Sequence, residues 1–196
     1  MAEIGSIGVE PVHSVSPNGG IEPLGSGCLV HWGVRADDRW HIARDEQAVR
    51  QIVAEDGVSI ETRLRVPGGD IVHRASSTPY RNTSLVIVEI ENETPLPVAI
   101  ALFTVGDGTW KCEGNALFRN SVSVISASKP VSNCLVATSE DEMMNTLRLE
   151  ESQNDAERMQ SVNGSHVAIV FTLPHTSSLR LVLCVENRRD SLPPPD

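Results

Sequence analysis

The sequence is poor in aromatic residues and has no long hydrophobic run. Phe, Trp and Tyr make up 4% of the 196 residues, and the longest apolar stretch, from Val98 to Phe103, has six residues. A helix that crosses a bilayer needs about 20 consecutive apolar residues, so this pattern excludes a membrane-spanning helix. Residues 1–8 contain neither a basic residue nor an apolar run of signal length. We therefore expect no secretory signal and a soluble, cytoplasmic protein.

Positive charge is also scarce. Sixteen Lys and Arg residues oppose 26 Asp and Glu residues, which gives a net charge of −10. A surface of this sign repels phosphate backbones and anionic lipids, so we expect neither nucleic acid nor a membrane as a partner. The length suits one large β domain, or at most two small domains.

Metal-ligand spacings are missing as well. The cysteines are Cys28, Cys112, Cys134 and Cys184, without a CxxC pair, and the six histidines show neither HxH nor HExxH spacing. Metal sites usually draw on such pairs because one turn then presents two ligands to the ion. We expect buried free thiols and no cofactor; disulfides or a metal site are the less favoured alternatives.

The clearest pattern that is present lies between residues 47 and 105. Over residues 60–66, Ile, Thr, Leu and Val alternate with charged residues, which is the period of two of a strand with one buried face. Asp56-Gly57 before this stretch and residues 67–70 after it are typical of tight turns. Strands are predicted at 51–54, 58–66, 71–75, 85–90 and 98–103. Short connections between them predict a five-stranded antiparallel meander.

Similar runs continue on both sides of this region. They cover residues 28–34, 121–125, 134–137, 167–171 and 179–183. Roughly ten strands with regularly spaced turn signals predict an all-β fold, a two-sheet antiparallel β-sandwich. We expect an irregular lead-in over residues 1–24, the sandwich domain over 25–187, and a Pro-rich tail over 188–196 that resembles the start of an interdomain linker.

One acidic segment interrupts the strand pattern. Residues 139–157 hold seven acidic residues against the single basic residue Arg148. Ser139 and Glu142 fit a capping box, and Met143 with Leu147 forms a short apolar stripe, so a short surface helix is possible. We favour the alternative, a solvated and mobile acidic loop.

The three tryptophans are candidate ligand-binding residues because flat aromatic rings stack on the apolar faces of sugars. Trp32 and Trp40 lie near His31 and His41, which could donate to sugar hydroxyls, and Trp110 follows residues 106–109, which we interpret as a loop tip. The favoured alternative is that Trp32 and Trp40 pack in the core or at a domain interface.

Asp37 and Asp38 are the carboxylates closest to these tryptophans in sequence. Hydrolysis of a glycosidic bond requires two carboxyl groups on opposite sides of the bond. Neighbouring residues of a strand point to opposite faces, and residues 35–39 are typical of a charged turn. No GxSxG motif is present either. We assign no catalytic residue.

Three stretches resemble a known group of proteins. They are ETRLRVPGGDIVHR at 61–74, VEIENETPLPVA at 88–99 and FTLPHTSSLR at 171–180. They resemble the N-terminal β-sandwich of actinobacterial glycosidase-like proteins, in which the sandwich precedes an (α/α)-toroid similar to glucoamylase and glycogen-debranching enzymes. The likeness extends over residues 25–187.

The resemblance implies a function without supplying site residues. In those proteins the catalytic carboxylates belong to the toroid, which would begin where this chain's Pro-rich tail stands. The implied function is a non-catalytic accessory domain of α-glucan metabolism that docks on a helical catalytic domain, on the same or a separate chain. A free-standing glycan-binding module is the first alternative, and an autonomous glycoside hydrolase is a weaker one.

Overall fold

A computed structural model describes residues 1–6, 9–23, 28–80, 83–149 and 161–183. The described strands are β1 Ala2–Ser6, β2 Val9–Val15, β3 Ile21–Glu22, β4 Leu29–Ala36, β5 Arg39–Ile42, β6 Val49–Val53, β7 Ile60–Val66, β8 Gly69–Tyr80, β9 Thr83–Asn92, β10 Val98–Glu113, β11 Ala116–Arg119, β12 Val122–Ala127, β13 Asn133–Ala137, β14 Val162–Leu173 and β15 Ser178–Leu183. A helix, α1, spans Glu140–Leu149. It is shorter and more polar than a helix that crosses a membrane.

The strands form one large, curled antiparallel sheet. Its order is β1-β2-β3-β4-β10-β11-β12-β15-β9-β8-β7-β6, with β5 on β4, β14 on β10 and β13 on β14. The all-β class is thus confirmed. A division into two separate sheets is not confirmed, because the first half of β10 pairs with β4 while its last residues pair with β11, so hydrogen bonding continues around the bend.

The long strand β10 shows how the period of two builds the core. Ile100 and Leu102 point into the main core, which includes Phe171 of β14. The intervening Ala101 and Phe103 point to the opposite face, where they form a second, smaller apolar cluster. Both faces of the strand are buried over residues 100–104, which explains the nearly continuous apolar run there.

Helix α1 covers this second face. The Oγ of Ser139 accepts a hydrogen bond from the N–H of Glu142, as an N-cap does. Met143 and Leu147 are 3% and 4% exposed and pack against Phe103 and its neighbours. The favoured prediction of a solvated, mobile loop is wrong for residues 140–149, because two apolar side chains one helical turn apart suffice to dock the helix. Residues 150–157 lie outside the described part of the chain.

The predicted meander is confirmed for four strands and wrong for the fifth. Strands β6, β7, β8 and β9 pair in sequence order, and Gly57 and Gly68 occupy the predicted turns with φ of 72° and 94°. However, β9 pairs next with β15, and β10 pairs with β4 and β14.

The side chain of Asn92 explains why the chain leaves the meander. It is fully buried at the end of β9. Its amide donates to the carbonyls of Leu96 at 2.8 Å and Pro174 at 3.2 Å, and its oxygen accepts from the N–H of Thr94 at 2.9 Å. These bonds fasten the connection to β10 against the turn that leads to β15, so β15 takes the position beside β9.

The described part of residues 1–24, which comprises 1–6 and 9–23, is not the irregular lead-in that we predicted. Strands β1 and β2 form a hairpin that joins the sheet through β3. Ile4 and Val15 are core residues, and the buried His13 contacts the Oγ of Ser84 at 2.9 Å. The sequence did not predict a strand here because Pro11 and the buried His13 interrupt the alternation of apolar and polar residues. Both residue types are uncommon in strands with a buried face. The Pro-rich tail, 188–196, lies outside the described residues.

Candidate functional site

Trp32 belongs to the core and not to a ligand site. It is 1% exposed. Its ring stacks on His73 with a centroid separation of 5.1 Å, and its Nε1 donates to the carbonyl of Asn18 at 3.0 Å. No face of the indole is open to a sugar ring, so its assignment as a stacking residue is corrected, and the core alternative holds for it.

Trp110 is likewise fully buried, contrary to the prediction of an exposed loop tip. Residues 106–109 are part of β10, with a bulge between Val105 and Gly108. The indole Nε1 donates to the carbonyls of Gly106 at 3.2 Å and Gly164 at 3.1 Å, and the guanidinium of Arg119 lies 5.6 Å from the ring centroid. Glycines at 106 and 108 indicated a loop, but here they permit a bulged strand.

Trp40 is half-buried beside the helix. It packs against the second apolar cluster, and its Nε1 donates to the carbonyl of Leu147 in the last turn of α1 at 3.4 Å. Carbonyls in the last turn of a helix commonly accept hydrogen bonds from outside the helix. Trp40 therefore holds the helix end on the sheet.

The two candidate histidines are also structural. His41 is 1% exposed, with its Nδ1 3.0 Å from Glu46 Oε1 and its Nε2 accepting from the Nε of Arg39 at 3.2 Å. Burial, and next the charge of Arg44, lower the pKa of the half-buried His31. The structure does not bring the five predicted residues together in one site.

Asp37 and Asp38 form the turn between β4 and β5, as the charged-turn interpretation predicts. Both are exposed, with φ of 53° and 59°. Two successive residues at positive φ are the mark of a tight hairpin turn, and Asp accepts this conformation more readily than most residues.

A different set of residues lines an open, shallow groove on the surface. This polar groove has a volume of about 440 Å³ and is lined by Asp107, Gly108, Thr109, Asn120, Thr138, Asn163, Gly164 and Ser165. The bulged part of β10, the start of β14, the turn between β11 and β12, and the residue before the α1 cap each contribute to it.

The register of β10 and β14 gives the polar groove its shape. Gly108 lies opposite Gly164, and Thr109 lies opposite Asn163. The paired glycines let neighbouring groups approach the backbone closely, because a Cβ on Gly108 would lie 3.1 Å from Arg119 and one on Gly164 would lie 2.5 Å from Val136. The Oγ1 of Thr109 donates to the Oδ1 of Asn163 at 2.7 Å. The strands therefore form the floor of the groove, and hydroxyl and amide side chains line it.

Two further contacts fix the walls. Asn120, at a φ of 50°, accepts a hydrogen bond on its Oδ1 from the N–H of Thr109 at 2.9 Å. The Oγ of Ser165 donates to the carbonyl of Thr138 at 2.9 Å. Trp110 bonds to the Gly164 carbonyl from the core side, so it supports the floor of the groove and does not line it.

The residues that line the groove are mostly uncharged. Asp107 is the one carboxylate among the eight lining residues. Amides and hydroxyls both donate and accept, so they suit a ligand that carries many hydroxyl groups. Sequence analysis missed this site because its residues come from segments far apart in the chain and only the β10–β14 register joins them.

Within the described ranges, no three His, Cys, Asp or Glu side chains lie close enough to hold a metal ion. The sequence matches no protein-family model, and no curated protein is measurably similar to it.

Proposed function

We propose that the chain is a non-catalytic accessory domain of carbohydrate metabolism and that its polar groove binds a neutral glycan. The observation that carries the proposal is the groove itself, with five hydroxyl or amide side chains, two glycines and one carboxylate around about 440 Å³. A net charge of −10 disfavours phosphorylated or acidic sugars. An uncharged α-glucan, which the sequence resemblance implies, fits this lining.

The expected binding is weak. Trp32 and Trp110 are buried, so stacking on an exposed indole does not contribute, and the affinity comes from hydrogen bonds made in competition with water. A dissociation constant on the order of 1 mM, or about −4 kcal/mol, is the expected range for such a site.

The experiment is an NMR titration of the labelled chain with maltoheptaose. We expect shifts of the amides of residues 107–109 and 163–165, and at least fivefold weaker binding in Asn163→Ala and Asn120→Gly. Glycine at 120 keeps the positive φ and removes only the amide. Asn145→Ala, an exposed position on α1, is the matched control. No shifts in the groove, or equal losses in all three variants, would overturn the proposal.

Docking on a helical catalytic domain is the second part of the proposal, together with a cytoplasmic location. A docking surface is expected to expose neighbouring apolar side chains. Ile52, Val53 and Val58 are 54%, 60% and 69% exposed at the β6–β7 hairpin. Co-expression with a candidate toroid domain, with and without Ile52→Lys, tests whether this corner makes the contact.

An autonomous hydrolase remains the alternative activity. Cleavage would need a second carboxyl group near Asp107. Release of reducing sugar from maltooligosaccharides by the purified chain, lost in Asp107→Asn, would support this alternative and contradict the non-catalytic proposal.

A further inference from the structure

Two cysteines from different strands meet inside the main core. Cys112 and Cys134 are both free thiols. Cys112 lies near the end of β10 and is 8% exposed, and Cys134 lies in β13 and is half-buried. Although β11 and β12 separate them in the chain, both side chains pack in the same apolar cluster. We name these two residues the thiol pair.

A backbone hydrogen bond close to both cysteines explains why they meet. The N–H of Val131 donates to the carbonyl of Gly114 at 3.0 Å, which places the chain that enters β13 against the end of β10. Cys112 lies two residues before Gly114, and Cys134 lies three residues after Val131. The period of two along β10 puts Cys112 on the core-facing side of the strand, together with Trp110.

The two thiols are in hydrogen-bond contact, and the contact makes them unequal. The hydrogen bond from Cys134 lowers the pKa of the Cys112 thiol, against the opposing effect of burial. The same hydrogen bond, together with burial, raises the pKa of Cys134. A thiolate is the form of cysteine that reacts with oxidants. Cys112 is therefore the thiol that ionises first, and Cys134 holds a second sulfur atom within its reach.

Cys28 provides a comparison within the same core. It is 4% exposed and belongs to the same apolar cluster. The Nη1 of Arg119 donates to its sulfur at 3.2 Å, so a guanidinium and not a second thiol holds this side chain. Cys184 lies outside the described residues. Burial alone thus does not distinguish the thiol pair from Cys28, whereas the contact between two sulfur atoms does.

We propose that the thiol pair is a redox site, which hydrogen peroxide closes to a disulfide between Cys112 and Cys134. The Cys112 thiolate attacks one peroxide oxygen, the O–O bond breaks, and Cys112 becomes a sulfenic acid while hydroxide leaves. The hydroxide takes the proton of the Cys134 thiol. The Cys134 thiolate then attacks the sulfenic sulfur, the S–S bond forms, and hydroxide leaves and takes up the proton that Cys112 released. Two thiols are oxidised, and one peroxide is reduced to two molecules of water.

Closure is expected to stabilise the fold. The S–S bond joins the end of β10 to β13, and a cross-link restricts the unfolded chain more than the folded chain. Because the closed loop has roughly 20 residues, the oxidised chain should unfold at a midpoint about 5–10 °C above that of the reduced chain. The inference goes beyond the proposed function and does not depend on glycan binding.

The test oxidises the full chain with hydrogen peroxide at neutral pH, blocks the remaining thiols with N-ethylmaleimide, and maps the products by mass spectrometry after digestion with trypsin. Trypsin separates the two cysteines, because Arg119 lies between them and Lys111 and Arg148 lie on either side. We expect peptide 112–119 joined to peptide 120–148 as the main product, two hydrogen atoms lighter than their sum. Dithiothreitol should restore both thiols and the lower unfolding midpoint.

Variants and unfolding provide the controls. Cys28→Ala is the matched control, and the Cys112–Cys134 link should form in it as fast as in the unmodified chain. Cys134→Ala removes the second sulfur, so Cys112 should stop at the sulfenic acid or its further oxidation products, and the midpoint should not rise. In concentrated urea the contact is lost, and several different links are expected in place of one.

Three outcomes would overturn the proposal. The first is oxidation of Cys112 and Cys134 to separate sulfinic or sulfonic acids without a link between them. The second is a main link that involves Cys28 or Cys184, or the same mixture of links in the folded and the urea-unfolded chain. The third is a link that lowers the unfolding midpoint, because such a bond would form only by disrupting the core.

Discussion

Two regions of the sheet differ in how far apart in sequence their paired strands lie. In the β6–β9 meander each strand pairs with its neighbour in sequence, and short turns such as Asp56-Gly57 set the register. At the polar groove β10 pairs with β14, although three strands and the helix intervene. The meander is specified locally, whereas the groove exists only once a long-range register has formed.

The side chains that stabilise the two regions differ accordingly. The meander carries a network of exposed and half-buried ion pairs on its outer face, in which Arg74 bonds both Glu61 and Glu91 at 2.9 Å. The β10–β14 pairing is reinforced from within by Trp110, which bonds the backbone of both strands. Surface ion pairs contribute little to stability, while a fully buried indole contributes much.

The largest effect is expected from removing that indole. Trp110→Ala should lower the free energy of unfolding by about 3–5 kcal/mol, because it leaves a cavity and two unbonded carbonyls. Urea denaturation followed by circular dichroism measures the change. Trp40→Ala, at a half-buried position, is the control and should cost clearly less. Equal costs would show that the long-range pairing does not depend on Trp110.

The next effect concerns the contact that joins the two regions. His73 of the meander stacks on Trp32 of β4, and burial lowers the pKa of His73 to about 4 from 6.5. Among the described residues, its Nδ1 has no hydrogen-bond partner. The folded protein therefore binds fewer protons than the unfolded chain between these two values. This part of the stability is complete above pH 6.5 and is lost as the pH falls toward 4.

The expected loss is about 3 kcal/mol between pH 7 and pH 4. Denaturation midpoints measured at half-unit intervals give the profile. His73→Phe keeps a ring against Trp32 and should flatten the profile over this range, while His175→Phe, at an exposed position, should leave it unchanged. A profile that is the same in all three proteins would assign the acid sensitivity to other groups, such as His13, whose pKa burial also lowers.

The same contrast explains what the sequence could predict. Strands β6–β9 were predictable because alternation over 60–66 and the turns at 57 and 68 lie within a few residues of each other. The sequence could not predict that the chain leaves the meander after Asn92, because the hydrogen-bond partners of Asn92, Leu96 and Pro174, lie on two separate connections. The prediction that Trp110 is exposed was wrong for a related reason. Gly106 and Gly108 indicate a turn in the sequence, whereas in the structure they belong to a bulged strand.

The polar groove could not be predicted from the sequence, because its residues come from segments that are far apart in the chain. Asn163 and Thr109 carry no signal by themselves, and they meet only through the β10–β14 register. The ion pairs on the outer face of the meander were nearer to prediction. Arg63 and Arg65 alternate on one strand face, but the position of Arg50 opposite Arg63 depends on the hairpin register that Gly57 sets.

The smallest effect is expected at Gly57, which tests the locally specified meander. Its φ is 72°, and a side chain there would meet nothing within 4 Å. Gly57→Val therefore costs backbone strain alone, about 1–2 kcal/mol, which urea denaturation can resolve. Gly57→Asn should cost less, because Asn accepts positive φ. Equal costs for Val and Asn would mean that the turn adapts its backbone. The register that brings Arg50 beside Arg63 would then rest on the cross-strand contacts of β6 and β7 instead of on the turn.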